Sequence, residues 1–290
     1  MKRREARNFY LYTAPWLIGF FVLTLYPIVY SFYLMFTDMN LTGVGKFIGL
    51  ENLKYAFTDD PLFIKAFINT LKYVVMFVPS SIILAFFVAL LLSKKVKGLG
   101  FFRTAFYIPY ITSGVAVTIL WGWIYQKDYG IINYVLSLFG IKGVNWLGDK
   151  NIAMISIVIL SLWTIGNNII IMLAGIQDIP QSYYESAQID GAGAIRQIFS
   201  ITLPLCTPTI YFNLIVTIIA AFQVFQQPLI LTNGGPLNST YTAAIHIYNN
   251  GFLYGKMGYA SMMAWSLFVV IMVITLVVIS TSKYWVFYDD

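Results

Sequence analysis

Six long apolar runs, separated by more polar stretches, set the pattern of the chain. They fall at about residues 11–36, 71–93, 104–125, 152–174, 206–231 and 259–281. A helix rises 1.5 Å per residue, so roughly 20 apolar residues cross a hydrocarbon layer of about 30 Å. Each run has that length. An open sheet cannot satisfy its edge amides in lipid, so the runs are expected to be helices. The predicted fold class is an all-α polytopic membrane protein with six transmembrane helices, forming one membrane domain over residues 1–290. The first run follows a basic stretch, residues 1–7, as a secretory signal would. It is longer than a signal core and has no small-x-small cleavage site, so it reads as an uncleaved first span.

Six prolines lie in or beside the runs: Pro15, Pro27, Pro79, Pro109, Pro208 and Pro228. Each removes a backbone donor, and so either marks a helix end or kinks a helix. Both outcomes are expected among them. Between the runs, residues 38–70 and 126–151 mix apolar and polar positions and should form short amphipathic helices. Asn233-Gly234-Gly235-Pro236 is a strong turn signal. Residues 241–254 are too short and too polar to span, so they lie in the interface or dip into the protein.

Composition strengthens this picture. Hydrophobic residues make up 59% and charged residues 10%, against about 25% charged in a soluble domain. That surplus needs an apolar solvent. Aromatics reach 18%, as expected where Trp and Tyr anchor spans at the interfaces. The net charge of +6 does not point to nucleic acid, because the charges sit between the apolar runs. Lys2, Arg3, Arg4 and Arg7 precede the first span; Lys94, Lys95, Lys97 and Arg103 fill the second loop. By the positive-inside rule both face the cytoplasm. Both termini, and the loop after the fourth span, then also lie inside. The expected location is a cell membrane, crossed many times.

What the runs lack excludes several functions. No Asp, Glu, Lys or Arg lies inside them, Lys72 being at an edge, and residues 197–255 carry no formal charge. A proton-coupled carrier needs titratable groups along its path. One cysteine, Cys206, and one histidine, His246, exclude an internal disulfide and multi-cysteine metal sites. No metal site is expected, and no catalytic cluster is visible. Gly43-Val44-Gly45-Lys46-Phe47 is too incomplete to cradle phosphate.

The runs do hold neutral amides: Asn167 and Asn168 in the fourth, and Asn213, Gln223, Gln226 and Gln227 in the fifth. Phe222, Phe225 and Gln226 share a face at i, i+3, i+4 spacing, with Gln223 close by. Amides beside rings suit a neutral, hydroxyl-rich solute. Interhelical hydrogen bonds of about 0.6 kcal/mol each explain them equally well. The candidate solute path is Asn167, Phe222, Gln223, Phe225 and Gln226.

The loop at 175–205 has its own signature. Ser182 followed by Glu185 forms a capping box. Asp190-Gly191 ends a short helix, with Gly able to turn left-handed. A second helix follows from about Ala194, with Ile195, Ile198, Phe199 and Thr202 on one stripe. The product is a rigid helix–turn–helix outside the membrane, either a plain surface hairpin or a docking device.

Glu185-Ser186-Ala187, Asp190-Gly191-Ala192, Phe199, Ile201, Leu203-Pro204 and Pro208 resemble the EAA loop of ABC importer permeases. Ser186 replaces the usual Ala. Phe102-Arg103-Thr104 through Pro109, Trp121-Gly122-Trp123-Ile124-Tyr125, Asp128-Tyr129-Gly130 with Asn133, and the Thr232–Pro236 turn are similar to the carbohydrate-uptake, MalF/UgpA-like, binding-protein-dependent branch. The resemblance covers nearly the whole chain. It implies a type I ABC importer permease fold in a bacterial or archaeal plasma membrane, with a sugar or oligosaccharide as cargo and glycerol phosphate less favoured. It implies that Glu185, Ser186, Ala187, Asp190, Gly191 and Ala192 couple to a separate ATPase. The implied partners are a second permease subunit, two ATPase subunits that carry the ATP and Mg, and an extracytoplasmic solute-binding protein. An ion-coupled secondary sugar carrier is the alternative.

Overall fold

The computed structural model describes residues 2–94 and 98–287, with side chains from residue 9 onward. The lysines at 95 and 97 lie outside the described residues, as do the side chains of Lys2, Arg3, Arg4 and Arg7. Helices account for most of the described structure. Phe47 makes an isolated antiparallel bridge to Thr37.

The first run forms α1 (Lys2–Gly19), a π-helical turn (Phe20–Leu25) and α2 (Tyr26–Leu34). A short α3 (Glu51–Thr58) precedes α4 (Pro61–Ser93). Then come α5 (Leu99–Ile111), α6 (Gly114–Ile124), α7 (Ile131–Leu138), α8 (Ala153–Trp163) and α9 (Gly166–Gln177). The polar hairpin supplies α10 (Gln181–Ile189) and α11 (Ala194–Gln197), followed by a π turn (Ile198–Thr202) and α12 (Leu203–Leu205). Next are α13 (Thr207–Phe222), α14 (Gln226–Thr232) and α15 (Ala243–Tyr248), then a π turn (Asn249–Leu253) and α16 (Met257–Ser282).

Among the described residues, three helices are long and apolar enough to cross a membrane: Phe9–Leu34, Phe63–Ser93 and Met257–Ser282. Three bent pairs bring the total to six. Leu99–Ile111 and Gly114–Ile124 meet at 98°, Ala153–Trp163 and Gly166–Gln177 at 51°, and Ala194–Leu205 and Thr207–Phe222 at 64°. The six expected runs therefore reappear, but the third and fourth are broken within their length, and the fifth bends at its start, at Cys206, where the hairpin's second arm joins it. The 98° break has a clear local cause. Pro109 removes a donor from the last turn of α5, and Thr112 then turns extended at ψ 147°.

Two boundaries move from their expected places. The second span begins at Pro61, ten residues before the apolar run, because Asp60 Oδ1 accepts the Leu62 amide at 2.9 Å and Pro61 fits the first helical position. The fifth helix ends at Phe222 and not near 231. Gln223–Phe225 leave the helix, and Gln226 begins the separate α14. Phe222, Phe225 and Gln226 thus do not share one helical face. The expected loop helices are present as α3 and α7.

The chain folds as two units. The first comprises the residues up to Ile64 with His246–Phe268. Asn52 ties it together, its Nδ2 donating to the carbonyls of Met35 (2.9 Å) and Thr37 (2.8 Å). Trp265 Nε1 donates to Ser31 Oγ at 3.2 Å and its ring meets Phe32 edge-on. Gly258 is required here: a Cβ at that position would lie 2.0 Å from the Thr37 carbonyl oxygen.

The second unit comprises Lys65–Ile245 and the residues from Val269 on. Its core joins the later half of α4 (Ala85, Phe86, Ala89, Leu92) to α9 (Ile169, Met172, Leu173, Ile176) and Cys206. Two close approaches seat α9. A Cβ on Gly166 would lie 2.5 Å from the Phe106 carbonyl oxygen, and one on Gly175 would lie 2.3 Å from Thr209 Oγ1. Small residues at such crossings let helices pack without a solvent-driven force between them.

Candidate functional site

The hairpin after α9 is built from the turn outward. Gly191 adopts φ 74°. Its amide donates to the Gln188 carbonyl at 3.0 Å, and the Ala192 amide donates to the Ala187 carbonyl at 2.8 Å. This pair of bonds is a Schellman cap, which satisfies the last carbonyls of α10. Gln197 Nε2 donates back to the Ala192 carbonyl at 2.9 Å, bracing the turn against α11. The hydroxyls of Tyr184 and Thr202 meet at 3.0 Å across the two arms. The turn is therefore rigid by its own bonds.

One sequence expectation fails here. Helix α10 starts at Gln181, with Pro180 in the capping position and no side-chain cap bond. Ser182 is inside the first turn, so the Ser182–Glu185 capping box does not form. Pro180 at ψ 135° sets the entry to the helix instead.

Glu185, Ser186, Asp190 and Gly191 are exposed, while Ala187 and Ala192 are half-buried. Beside them stand apolar side chains open to solvent: Ile189 is 88% exposed, Ile195 74% and Phe199 60%. Ile198 and Leu203 point the other way and pack on the α4–α9 core. The expected stripe thus divides, one side anchoring the hairpin and the other facing out.

The amide and aromatic residues form a second place of interest in the same unit. A pocket of about 340 Å³ is lined by Gln223, Phe225, Gln226 and Gln227, and opposite them by Tyr73, Phe77, Ser161 and Thr164. The Tyr73 and Phe77 rings stack at 5.3 Å, and the Tyr73 hydroxyl donates to Ser161 Oγ at 2.9 Å. Gln226 Nε2 is buried and has no acceptor among the described residues. Its amide presses on Gly114, where a Cβ would lie 2.8 Å from Nε2. No ionisable side chain other than the Tyr73 phenol lines the pocket.

Of the candidate path residues, Gln223, Phe225 and Gln226 line this pocket; Asn167 and Phe222 do not. Phe222 is only 2% exposed and fills the core. Asn168 and Asn213 take the structural role. Asn168 Nδ2 donates to Thr217 Oγ1 at 2.9 Å, and Asn213 Nδ2 reaches the Asn168 carbonyl at 3.4 Å. Tyr73, Phe77, Ser161 and Thr164 were not singled out in the sequence. An i, i+4 aromatic pair beside the only charge of its run was the available signal.

In the first unit, a polar cluster is centred on Asp60. Its Oδ2 accepts the Tyr259 hydroxyl at 2.6 Å and faces His246 Nε2 at 2.8 Å. Asn250 Nδ2 lies 3.3 Å from His246 Nδ1. An amide NH₂ only donates, so Nδ1 accepts and the proton resides on Nε2. Burial holds the His246 pKa below its ordinary value despite Asp60. Burial raises that of Asp60, but hydrogen bonds from Tyr259 and the Leu62 amide, with His246 beside it, bring it below the usual carboxylate value. The pair is a neutral imidazole donating to a carboxylate. Among the described residues no group of three or more His, Cys, Asp or Glu is placed to hold a metal ion.

The family model of the "binding-protein-dependent transport system inner membrane component" matches residues 61–287. The chain belongs to this family. The permease is 39% identical to the probable ABC transporter permease protein YesP of Bacillus subtilis, over 99% of this chain and 94% of that one. It is 34% identical to the arabinooligosaccharides transport system permease protein AraP of the same organism, over 94% and 88% respectively. Among solved structures it resembles a chain of a bacterial alginate ABC transporter in complex with an alginate pentasaccharide-bound periplasmic protein. The TM-score is 0.81 at 25% identity, covering 98% of this chain and 97% of the other. The permease is a membrane-embedded subunit of an ABC importer, a transport component and not an enzyme.

Proposed function

We propose that this permease passes a sugar or oligosaccharide across the membrane by alternating access, with glycerol phosphate the less favoured cargo. The carrying observation is the pocket of rings and amides at Tyr73, Phe77, Phe225, Gln223 and Gln226. Amides bond hydroxyls and aromatic faces stack on sugar rings, and Gln223 presents an exposed amide there. The cargoes named for the AraP and alginate relatives support the same reading.

The hairpin supports a reading of the rest of the machine. Residues 1–290 act as one transmembrane permease domain in a bacterial or archaeal plasma membrane, with both termini cytoplasmic. A second permease chain completes the pore, and an extracytoplasmic binding protein delivers the solute. Two ATPase subunits bind ATP and Mg. Their motion enters through Glu185, Ser186, Ala187, Asp190, Gly191 and Ala192. Glu185 offers an exposed carboxylate to a basic group. The Gly191 turn, without a Cβ, permits close approach. Because α9 enters the hairpin and α12–α13 leave it, tilting α10 tilts both spans.

The test is ATP-driven uptake of a panel of labelled sugars in vesicles holding the assembled importer. Glu185→Lys should reduce uptake at least tenfold. Gly191→Val places a β-branched residue at φ 74°, adding roughly 1–2 kcal/mol of strain to the turn, and should do the same. Full uptake in both variants, or uptake by this chain alone under an ion gradient, would sink the proposal.

A further inference from the structure

A groove of about 770 Å³ lies wholly within the second unit, between the first turns of α4 and the start of α8. Lys65, Lys72 and Lys150 line it, and no carboxylate does. Lys65 spends one N–H on the Leu237 carbonyl at 2.7 Å. Among the described residues, no carboxylate pairs with Lys72 or Lys150. The remaining wall is largely aliphatic, with Ile68, Val75 and Ile155 exposed along it.

We propose that this groove seats an anionic phospholipid, its phosphate against the three lysines and an acyl chain along Ile68, Val75 and Ile155. Three observations converge. The first is depth. Lys65 and Lys72 occupy the first three turns of one span, and Lys150 stands three residues before another. That is the boundary level where headgroups lie and where lysine stems reach along apolar surface with the ammonium in the polar layer. The second is charge: lysine binds phosphate as a point charge, and three ammonium groups line the groove with no carboxylate among its described lining residues. An unpaired ammonium against aliphatic surface at this level is costly, and a lipid phosphate removes that cost. The third is the lining. No aromatic ring faces the groove, unlike the pocket at Gln223, so the wall suits a hydrocarbon chain and not a sugar face.

Native mass spectrometry of the detergent-purified importer, titrated with phosphatidylglycerol or phosphatidylcholine, tests this. The intact complex should retain phosphatidylglycerol preferentially. Lys72→Gln with Lys150→Gln should weaken that preference about 25-fold, near fivefold per charge removed, while Lys72→Arg with Lys150→Arg should keep it. Neither pair touches the proposed cargo pocket, so a failure here leaves the cargo reading standing. Equal retention of both lipids overturns the inference, as does an unchanged preference in the Gln pair. Displacement of the lipid by millimolar glycerol phosphate or a soluble hexuronate oligosaccharide assigns the groove to a free anion and overturns it too. So does loss of the second permease chain from the Gln pair, which would make the groove a subunit seat.

Discussion

At the scale of single residues, Asp60 does the work of a cap and a junction at once. One oxygen starts α4, while the other holds Tyr259 and His246. Asn250 blocks a second proton on the imidazole, and burial disfavours its charge. A histidine whose folded pKa is depressed stabilises the fold at high pH. Its contribution declines as pH drops below the unfolded value near 6.5. The lowered Asp60 pKa acts in the same direction, in the acid range below about 4. The thermal unfolding midpoint of the purified importer should therefore fall between pH 7 and pH 5.5, and His246→Gln should flatten that slope. A midpoint insensitive to pH in the native chain would contradict this assignment. At the proposed cargo pocket, Gln223→Ala should remove one hydrogen bond to the solute, about 1 to 1.5 kcal/mol. Uptake KM should rise about tenfold with little change in melting. Asn168→Ala should show the reverse, a small loss of stability near 0.6 kcal/mol and an unchanged KM.

At the scale of elements, the lever depends on helix crossings more than on the hairpin itself. Gly175 lets α9 approach Thr209 of α13 so closely that any side chain must displace one of them. Gly175→Leu should cost about 1–3 kcal/mol by overpacking, seen as a lower melting temperature. The apolar runs, the hairpin and its Gly191 turn were legible in the sequence because each is local: a hydrophobic length, or a Gly after Asp. The breaks at Thr112 and Cys206 stand beside Pro109 and Pro208, already marked as helix ends or kinks; the break at Thr164 had no such mark, since in lipid a helix bends wherever neighbours take over its freed backbone groups. The pocket was half legible for a related reason. Gln223, Phe225 and Gln226 advertise themselves within four residues, whereas Tyr73 meets Ser161 across 88 positions. The capping box was a plausible local motif overruled by Pro180, two residues before Ser182.

For the whole molecule, charge placement is the remaining guide to orientation. Cys206 is buried, so a membrane-impermeant maleimide has little native background. Exposed positions can then be mapped one cysteine at a time. In intact cells Asp128→Cys should label and Glu185→Cys should not, until the membrane is permeabilised. The opposite pattern would invert the topology.

The helix break after Phe222 bears on how such importers diversify. Gln223, Phe225, Gln226 and Gln227 lie past the end of the fifth span, on a connector and a seven-residue helix, whereas the proposed ATPase contact is drawn from residues ahead of that span. Selection can therefore rewrite cargo preference in a few adjacent codons and leave the motor interface untouched. An engineer can do the same: exchanging residues 223–232 between relatives is the smallest graft that should redirect one motor to a new sugar.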